Sequence, residues 1–571
     1  MGLNRLEEST VTRLTIPLTL LLLFSSPLLA DTLAVSGVRV FDGASMIETA
    51  TVVVEDGTII AVGPDVSIPD GAETVDGSGA TLLPGFIDCH THTWGDALER
   101  AAVFGVTTEL DMFTDPEFAP GGHGTQFGIE VPTLTQADQA DGWVADRLAE
   151  GSDYIKIVLE DGELIGRAIP TLDDELLAAL VSAVQSRERL ALAHVSTLAD
   201  ARMAVASGVD GLVHIFRDAP ADEALVTLVA SRGVFVVPTL TVVESTSGGA
   251  SGALLVDDLR FEFLLTPQEI AGLKTSFPPA PGVSPASASE SVRRLHEAGV
   301  TILAGTDAPN PGTAHGVSIH RELELLVAAG LDPVAALAAA TSAPARAFGL
   351  EDRGRIAPGL RADLVLVEGD PGEDITATRA IRAVWKGGKT IDRPRQELPE
   401  SGQPMQAGSL ADFESGLLAA SFGAGWTAST DEMMGGKSTV GLAVVDAGAT
   451  GTSKALAVSG EIVPGFAFPW AGAMFFAGDA PMAPANLSTV SQIVFQAKGT
   501  PGTYRLMAFA ETLGQVPSGQ LFEVEEEWRE VTLSVDGFRG ADFSGLTALL
   551  WTGGPALGAF ELVIDEIELR E

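Results

Sequence analysis

Apolar and polar positions follow two different rhythms along the middle of the chain. Short apolar runs typical of buried strands alternate there with segments in which apolar residues recur every three to four positions, as on a helix. The predicted strands are Gly105–Asp111, Tyr154–Leu159, Leu190–His194, Gly211–Phe216, Val234–Thr239 and Thr301–Gly305, and the predicted helices are Asp173–Arg187, Leu198–Ala206, Ala221–Ser231, Pro285–Ala298 and Ile319–Ala329. This alternation predicts an α/β fold, either a (β/α)8 barrel or a doubly wound sheet.

Strand-rich segments flank the alternating region on both sides. In residues 31–84, short segments of alternating apolar and polar residues are separated by Asp-Gly and Gly-Pro turns. Residues 350–395 contain similar segments. We predict that these two flanks pair into one small β-sandwich beside a barrel of residues 85–349.

The last part of the chain has a different composition. Residues 396–411 are rich in Pro, Gly, Gln and Ser, which is typical of a linker. Residues 412–571 alternate with a period of two and show no long helical pattern. They therefore predict a separate C-terminal β-sandwich.

The N-terminus has the pattern of a secretory signal peptide, residues 1–30. Arg5 and Arg13 precede a short apolar stretch, residues 14–29, and small Ala30 precedes the expected cleavage site. A membrane anchor is the alternative, but the stretch is short and interrupted by prolines. We expect a periplasmic or secreted protein that leaves the membrane once the signal is removed.

The net charge excludes some classes of partner, and the cysteine count excludes an intramolecular disulfide. A formal net charge of −43 argues against nucleic acid and anionic membranes, because both require basic patches. Cys89 is the only cysteine, so an intramolecular disulfide is impossible and the stability must come from the size of the cores.

Four histidines and one aspartate occupy strand ends. His90 and His92 close an apolar run, and residues i and i+2 share a face of a strand but not of a helix. His194 and His214 lie at the end of, or inside, two later predicted strands, and Asp307 follows the last one. A single histidine in such a position is more often structural, but together these groups predict a metal site. An acid beside a metal can also act as a general base.

Lys156 lies inside the apolar run Tyr154–Leu159, where an unpaired ammonium would be costly. Burial and nearby cations would lower its pKa, and the neutral amine could add carbon dioxide to form a carbamate that bridges two metals. The alternative is a lysine that reaches the strand end or pairs with Asp153 or Glu160.

These residues resemble the motifs of the amidohydrolase superfamily of metal-dependent hydrolases, in particular its imidazolonepropionase-like and zinc-dependent, prolidase-type branch. The resemblance covers residues 31–395. It rests on Pro84–His92, Asp153–Ile157, His194, His214, Gly305–Ala308 and Gly354–Leu364.

The resemblance implies a barrel with two divalent ions, usually zinc. His90, His92 and Asp307 would hold the first ion, His194 and His214 the second, and carbamylated Lys156 would bridge them. A hydroxide between the ions would attack a carbonyl, and Asp307 would shuttle its proton to the leaving group.

Residues 412–571 resemble the β-sandwich of the complex I intermediate-associated family, which is similar to carbohydrate-binding jelly rolls. Asp431–Ser438, Trp528 and Phe560–Ile567 carry this resemblance. A glycan could bind through Trp426 or Trp470, but such tryptophans are more often part of a core.

The other histidines and the cysteine give weaker signals. His123 and His315 lie in glycine-containing segments that could reach the barrel mouth and contact substrate, although a surface role is equally open. His296 and His320 fall in helical patterns and are expected to be structural. Cys89 alternates away from the histidines, which argues against a nucleophilic role.

Our leading hypothesis is an exported metal-dependent hydrolase that cleaves the amide bond of a dipeptide or an N-acyl amino acid. Esters, lactones and cyclic amides are alternative substrates, because the same attack would open them. A mononuclear imidazolone hydrolase or deaminase would not need Lys156, and a non-catalytic glycan-binding protein would need none of the ligands. Metal identity, substrate and a homo-oligomeric state stay open.

Overall fold

The structure is a computed structural model that describes residues 32–571, apart from residues 94, 113–133, 166–168, 250–251, 281, 396–406, 432–435, 450, 465–468, 514–516 and 555. The expected signal peptide and most of the expected linker lie outside the described residues. Within the described part, we find no helix with the length and apolar character needed to cross a membrane.

The described chain opens with strands and then alternates strands with helices. The first strands are β1 (Thr32–Phe41), β2 (Met46–Glu55), β3 (Thr58–Gly63), β4 (Glu73–Asp76) and β5 (Ala80–Pro84). The alternating region contains β6 (Phe86–Thr91), α1 (Ala97–Val103), β7 (Val106–Asp111), α2 (Ala140–Ala149), β8 (Tyr154–Leu159), α3 (Asp174–Gln185), β9 (Leu190–Val195), α4 (Leu198–Ser207), β10 (Gly211–Val213), α5 (Glu223–Arg232), β11 (Phe235–Val237), α6 (Leu240–Thr246), α7 (Ala253–Val256), α8 (Pro267–Leu273), α9 (Pro285–Glu297), α10 (Val317–Ala328), α11 (Pro333–Ala339) and α12 (Ser342–Ala347).

Strands dominate the remainder of the chain. After the alternating region come β12 (Leu364–Glu368), β13 (Ile381–Lys386) and β14 (Lys389–Thr390). The C-terminal region contains β15 (Gly408–Ala411), β16 (Gly425–Thr430), β17 (Thr439–Val445), β18 (Ala455–Ile462), β19 (Ala471–Phe476), β20 (Gln492–Gly499), β21 (Gly502–Ala510), β22 (Ser518–Val524), β23 (Arg529–Ser534), β24 (Leu546–Thr552) and β25 (Gly558–Arg570).

The helices of the alternating region begin where capping side chains can accept backbone N–H groups. Asp173 accepts from Leu176 N at the start of α3, and Thr197 forms a capping box with Asp200 at the start of α4. Gly208 ends α4 with a left-handed φ of 92°. These signals explain why the predicted helices agree with the observed ones to within a few residues.

The parallel strands follow each other in chain order. β8, β9, β10 and β11 pair consecutively, and β6 pairs with β7. The segment 301–308 joins the two groups, because Leu303 N donates to Val236 O and Cys89 N donates to Ala304 O. The first strand of the region therefore lies beside the last, as in a barrel and unlike a doubly wound sheet. The sheet does not close among the described residues, which omit 113–133, so the complete (β/α)8 barrel stays a prediction.

The two strand-rich flanks pair with each other, as predicted, through antiparallel β5 and β12. Their strands belong to one hydrogen-bonded eight-stranded sheet, and the expected small sandwich stays a prediction. Both faces of β12 are buried, because Leu364 and Leu366 pack into a core made only of residues from the two flanks, whereas Val365 and Val367 join the core of the barrel-like region.

The C-terminal strands form two antiparallel sheets, with β15, β17, β18, β20, β23 and β25 in one and β16, β19, β21, β22 and β24 in the other. Phe495 from the first sheet and Trp551 from the second belong to one core, so the two sheets pack face to face. Trp426 lies between Phe475 and Trp551, with ring centroids 5.5 and 5.3 Å away. This placement favours a packing role for Trp426. The jelly-roll resemblance and a glycan site stay predictions.

Separate cores predict separate folding of the two regions. The C-terminal core shares no residue with the cores before it, and the regions meet where α8 lies near Glu511–Leu513. A protein of residues 31–395 should therefore fold alone, with an unfolding midpoint within about 4 °C of the corresponding transition in the full chain. Calorimetry of both proteins checks this, and an aggregated or unfolded 31–395 protein would contradict it.

Candidate metal centre and active site

The side chains singled out in the sequence converge at the carboxyl ends of the parallel strands. They come from the end of β6 and the residue after it, from β8, from β9, from the residue after β10, and from the turn after residues 301–305: His90, His92, Lys156, His194, His214 and Asp307. Parallel strands around a barrel present their carboxyl ends to the same face, where barrel enzymes place their chemistry.

The Asp307 carboxylate lies at the centre of this group. Its Oδ1 is 2.9 Å from His92 Nε2 and 3.2 Å from His90 Nε2, and its Oδ2 is 3.9 Å from His214 Nε2. The ring of His194 packs on that of His214, with centroids 4.4 Å apart. One ligand atom from each of His90, His214 and Asp307 lies within 4.8 Å of the others, so these buried groups could hold a metal ion together.

The amine of Lys156 points at the histidines. Its Nζ lies 2.8 Å from His90 Nε2. Burial lowers the pKa of Lys156 to about 8, although the Asp307 carboxylate acts in the opposite direction. Glu160 instead bonds Ser196 and the backbone of Gly162. The alternative pairing of Lys156 with Glu160 is therefore not what the structure shows.

The protonation states of these side chains allow them to bind a divalent cation. Burial lowers the pKa of both His90 and His214 well below the ordinary value, so their imidazoles are neutral, which is the form that binds metals. Burial alone would raise the pKa of Asp307, but the hydrogen bond from the His92 ring, which a neutral imidazole can donate, helps to hold it well below its usual range. Neutral imidazoles around an ionised carboxylate form a donor set that fits a divalent ion.

The backbone is strained where two of these groups are presented. His214 and Asp307 have φ values of 65° and 57°, in the left-handed region of backbone conformations that residues other than glycine rarely adopt. Thr239, at φ 48°, places its Oγ1 2.7 Å from His214 Nδ1. This contact fixes the ring so that Nε2 faces Asp307. No local pattern predicts this contact, because Thr239 follows the neighbouring strand β11 and is 25 residues further along the chain than His214.

A buried carboxylate holds the strand ends of His90 and Asp307 together. Asp88 Oδ1 accepts hydrogen bonds from His90 N at 3.1 Å and Thr306 N at 3.0 Å, and Oδ2 accepts from Thr306 Oγ1 at 2.6 Å. Asp307 N in turn donates to His90 O at 2.7 Å. The position of Asp88 two residues before His90 was a signal available in the sequence.

The remaining predicted site residues are placed as follows. His123 lies outside the described residues. His315 is buried, with Nδ1 2.9 Å from Glu109 Oε1, and its contact with substrate stays a prediction. His320 bonds Thr378 and the backbone of Phe104, in agreement with a structural role. Buried Cys89 packs in an apolar cluster, which agrees with its exclusion as a nucleophile.

Known proteins match the region that contains this centre. Residues 135–391 match the model of the amidohydrolase family. An imidazolonepropionase of Cereibacter sphaeroides is 30% identical over 368 residues, which cover 58% of this chain and 91% of that protein. One from Deinococcus deserti is 27% identical over 383 residues, covering 60% and 92%. The chain belongs to the amidohydrolase family.

Solved structures of other proteins share the fold of this region of the chain. A Xaa-Pro dipeptidase with bound methionine in its active site has a TM-score of 0.50 at 21% identity, covering 63% of this chain and 100% of that one. Phenylurea hydrolase B has a TM-score of 0.51 at 20% identity, covering 63% and 97%.

The superfamily prediction is therefore confirmed, and this amidohydrolase is a hydrolase acting on carbon–nitrogen bonds. The family is metal-dependent, and the buried group of His90, His214 and Asp307 could supply the metal ligands. An enzyme is accordingly favoured over the non-catalytic glycan-binding alternative.

The contact between Thr239 and His214 can be tested through metal affinity. Thr239→Val keeps the β-branched shape and removes the hydroxyl that orients the ring. We expect metal affinity, measured by chelator competition, to fall about 10–100-fold. Thr246→Val is the matched control, because the Thr246 hydroxyl donates to Val243 O within its own helix. Equal affinities in both variants would show that the hydroxyl does not position His214.

Proposed function

We propose that this amidohydrolase is an exported enzyme that hydrolyses the amide bond of a dipeptide or an N-acyl amino acid, with two zinc ions in the site. The observation that carries the proposal is the position of the Lys156 amine, 2.8 Å from His90 Nε2 and inside the group of histidines around Asp307. A mononuclear site would leave this lysine without a role.

The donor atoms divide into two sets, as two ions require. His90 and His92 share Asp307 Oδ1 and would hold the first ion with it. His194 and His214, whose rings are in contact, would hold the second. A carbamate on Lys156 would link the two, and the lowered pKa of Lys156 favours the neutral amine that carbamate formation needs. When bound, two divalent ions would lower the pKa of water and polarise the scissile carbonyl.

Asp307 would carry out the proton transfer. Its carboxylate is ionised and buried, and His92 orients it through a 2.9 Å hydrogen bond. Such a base can take a proton from the attacking water and deliver it to the departing nitrogen. Thr239 and Asp88 keep the neighbouring groups in place while this proton moves.

The identity to imidazolonepropionases supports an imidazolone or another cyclic amide as the second candidate substrate. The dipeptide hypothesis rests on the binuclear arrangement around Lys156 and on the fold shared with a dipeptidase. Both substrates contain a carbon–nitrogen bond beside a carbonyl, so the same residues would act on either.

A substrate screen tests the proposed activity. Metal-loaded full-length enzyme should hydrolyse members of a dipeptide or N-acyl amino acid panel faster than lactones, esters or imidazolones of similar size. Mass spectrometry of the products gives the rates. Turnover confined to lactones or imidazolones would contradict the proposed substrate class.

The carbamate is tested by Lys156→Ala. We expect kcat/KM to fall at least about 100-fold, because the link between the ions is lost. Elemental analysis should find fewer metal ions per chain, and added short carboxylic acids should partly restore both properties. Lys274→Ala, at an exposed helix end, is the control. A Lys156→Ala enzyme that keeps two metal ions per chain and full activity would contradict the binuclear carbamate model.

A further inference from the structure

Arg217 follows the ligand candidate His214 by three residues and lies in the same wall of the site. The residue is 7% exposed. Its backbone is held on both sides, because Arg217 N donates to Ser196 O at 3.2 Å and Ser284 N donates to Arg217 O at 2.8 Å. The arginine is therefore built into the fold and does not swing in from the surface.

The guanidinium of Arg217 has few partners within the described part of the chain. Nη2 donates one long hydrogen bond, 3.5 Å, to Ser196 Oγ, and Nε is buried with no hydrogen-bond partner. A guanidinium carries five N–H donors, and a buried charged donor without a partner costs folding free energy. Folding alone does not explain why this cation is kept there.

Hydrogen bonds connect the guanidinium of Arg217 to the candidate active site, because its partner Ser196 Oγ donates to Glu160, which lies beside His194. Burial disfavours the cation, and the carboxylates of Glu160 and Asp307 are the two strongest groups that oppose this effect. Glu160 is already engaged, since it accepts from Ser196 Oγ and Gly162 N and lies 3.9 Å from His194 Nε2. Asp307 is surrounded by histidines. Neither carboxylate forms an ion pair with Arg217 within 4.0 Å among the described residues.

We propose that Arg217 binds the carboxylate of the substrate and selects amides that carry a free carboxyl group close to the scissile bond. This inference rests on the proposed function. A planar guanidinium matches a carboxylate with two parallel hydrogen bonds, which would satisfy donors that the fold leaves open. A local cation also matters because the chain's net charge of −43 repels an anionic substrate during its approach.

Paired substrates separate this role from a structural one. Each pair consists of a dipeptide or an N-acyl amino acid and the same compound with a C-terminal carboxamide, assayed with the full-length, metal-loaded enzyme. The wild type should prefer the acid at least about tenfold in kcat/KM. In Arg217→Gln this acid-to-amide ratio should fall about tenfold, to near one, mainly through KM for the acid. Arg202→Gln, which removes a half-exposed arginine paired with Asp222, should keep the wild-type ratio.

The outcomes distinguish the two proposals. If the wild type cleaves neither member of any pair, the proposed function fails. If it cleaves the amide as well as the acid, or if Arg217→Gln keeps the wild-type ratio, the function survives and the role of Arg217 is overturned. If Arg217→Gln loses its metal or its fold, Arg217→Lys tests the role of Arg217 instead, because lysine keeps the positive charge but lacks the planar guanidinium that forms two parallel hydrogen bonds. Its ratio should fall at least about threefold, and an unchanged ratio would refute the inference.

Discussion

The site depends on one buried carboxylate, Asp307, and on the cations and donors that must surround it. An ionised carboxylate in a barrel interior is costly unless it is paired and hydrogen-bonded. His90 and His92 approach its Oδ1, and His214 faces its Oδ2. The same requirement explains why the amine of Lys156 and the histidine side chains can lie close together in a region shielded from water.

The fold provides this arrangement through strand ends and strained turns. β6 and the segment 301–308 lie side by side, so His90 and Asp307 are adjacent although they are far apart in the chain. Left-handed φ values at His214 and Asp307 turn their side chains toward the same point. Asp88 and Thr239 then oppose rotation of the groups they touch. The strain at these residues is stored where several hydrogen bonds fix the backbone.

The sequence predicted the parts of this picture that depend on local periodicity. The spacing of His90 and His92, and the apolar runs that end at His194 and Asp307, gave the strand-end cluster, and alternation gave the strands and helices around it. Contacts across strands left no local trace: Thr239 and Arg217 are ordinary residues until β9, β10 and β11 bring them beside His194 and His214. Alternation along β12 predicted that this strand is buried on both faces, but it did not show that one face packs on the barrel-like region and the other on a core of the flanks themselves.

The proposed function depends above all on Lys156, which would join two metal ions as a carbamate. The most direct measurement combines a metal count per chain on the wild-type enzyme with carbon-13 NMR after equilibration with labelled bicarbonate. We predict two ions per chain and a labelled carbamate carbon that disappears when the metal is removed and Lys156 reverts to the amine. One ion per chain at full activity, with no labelled carbon on the protein, would contradict it.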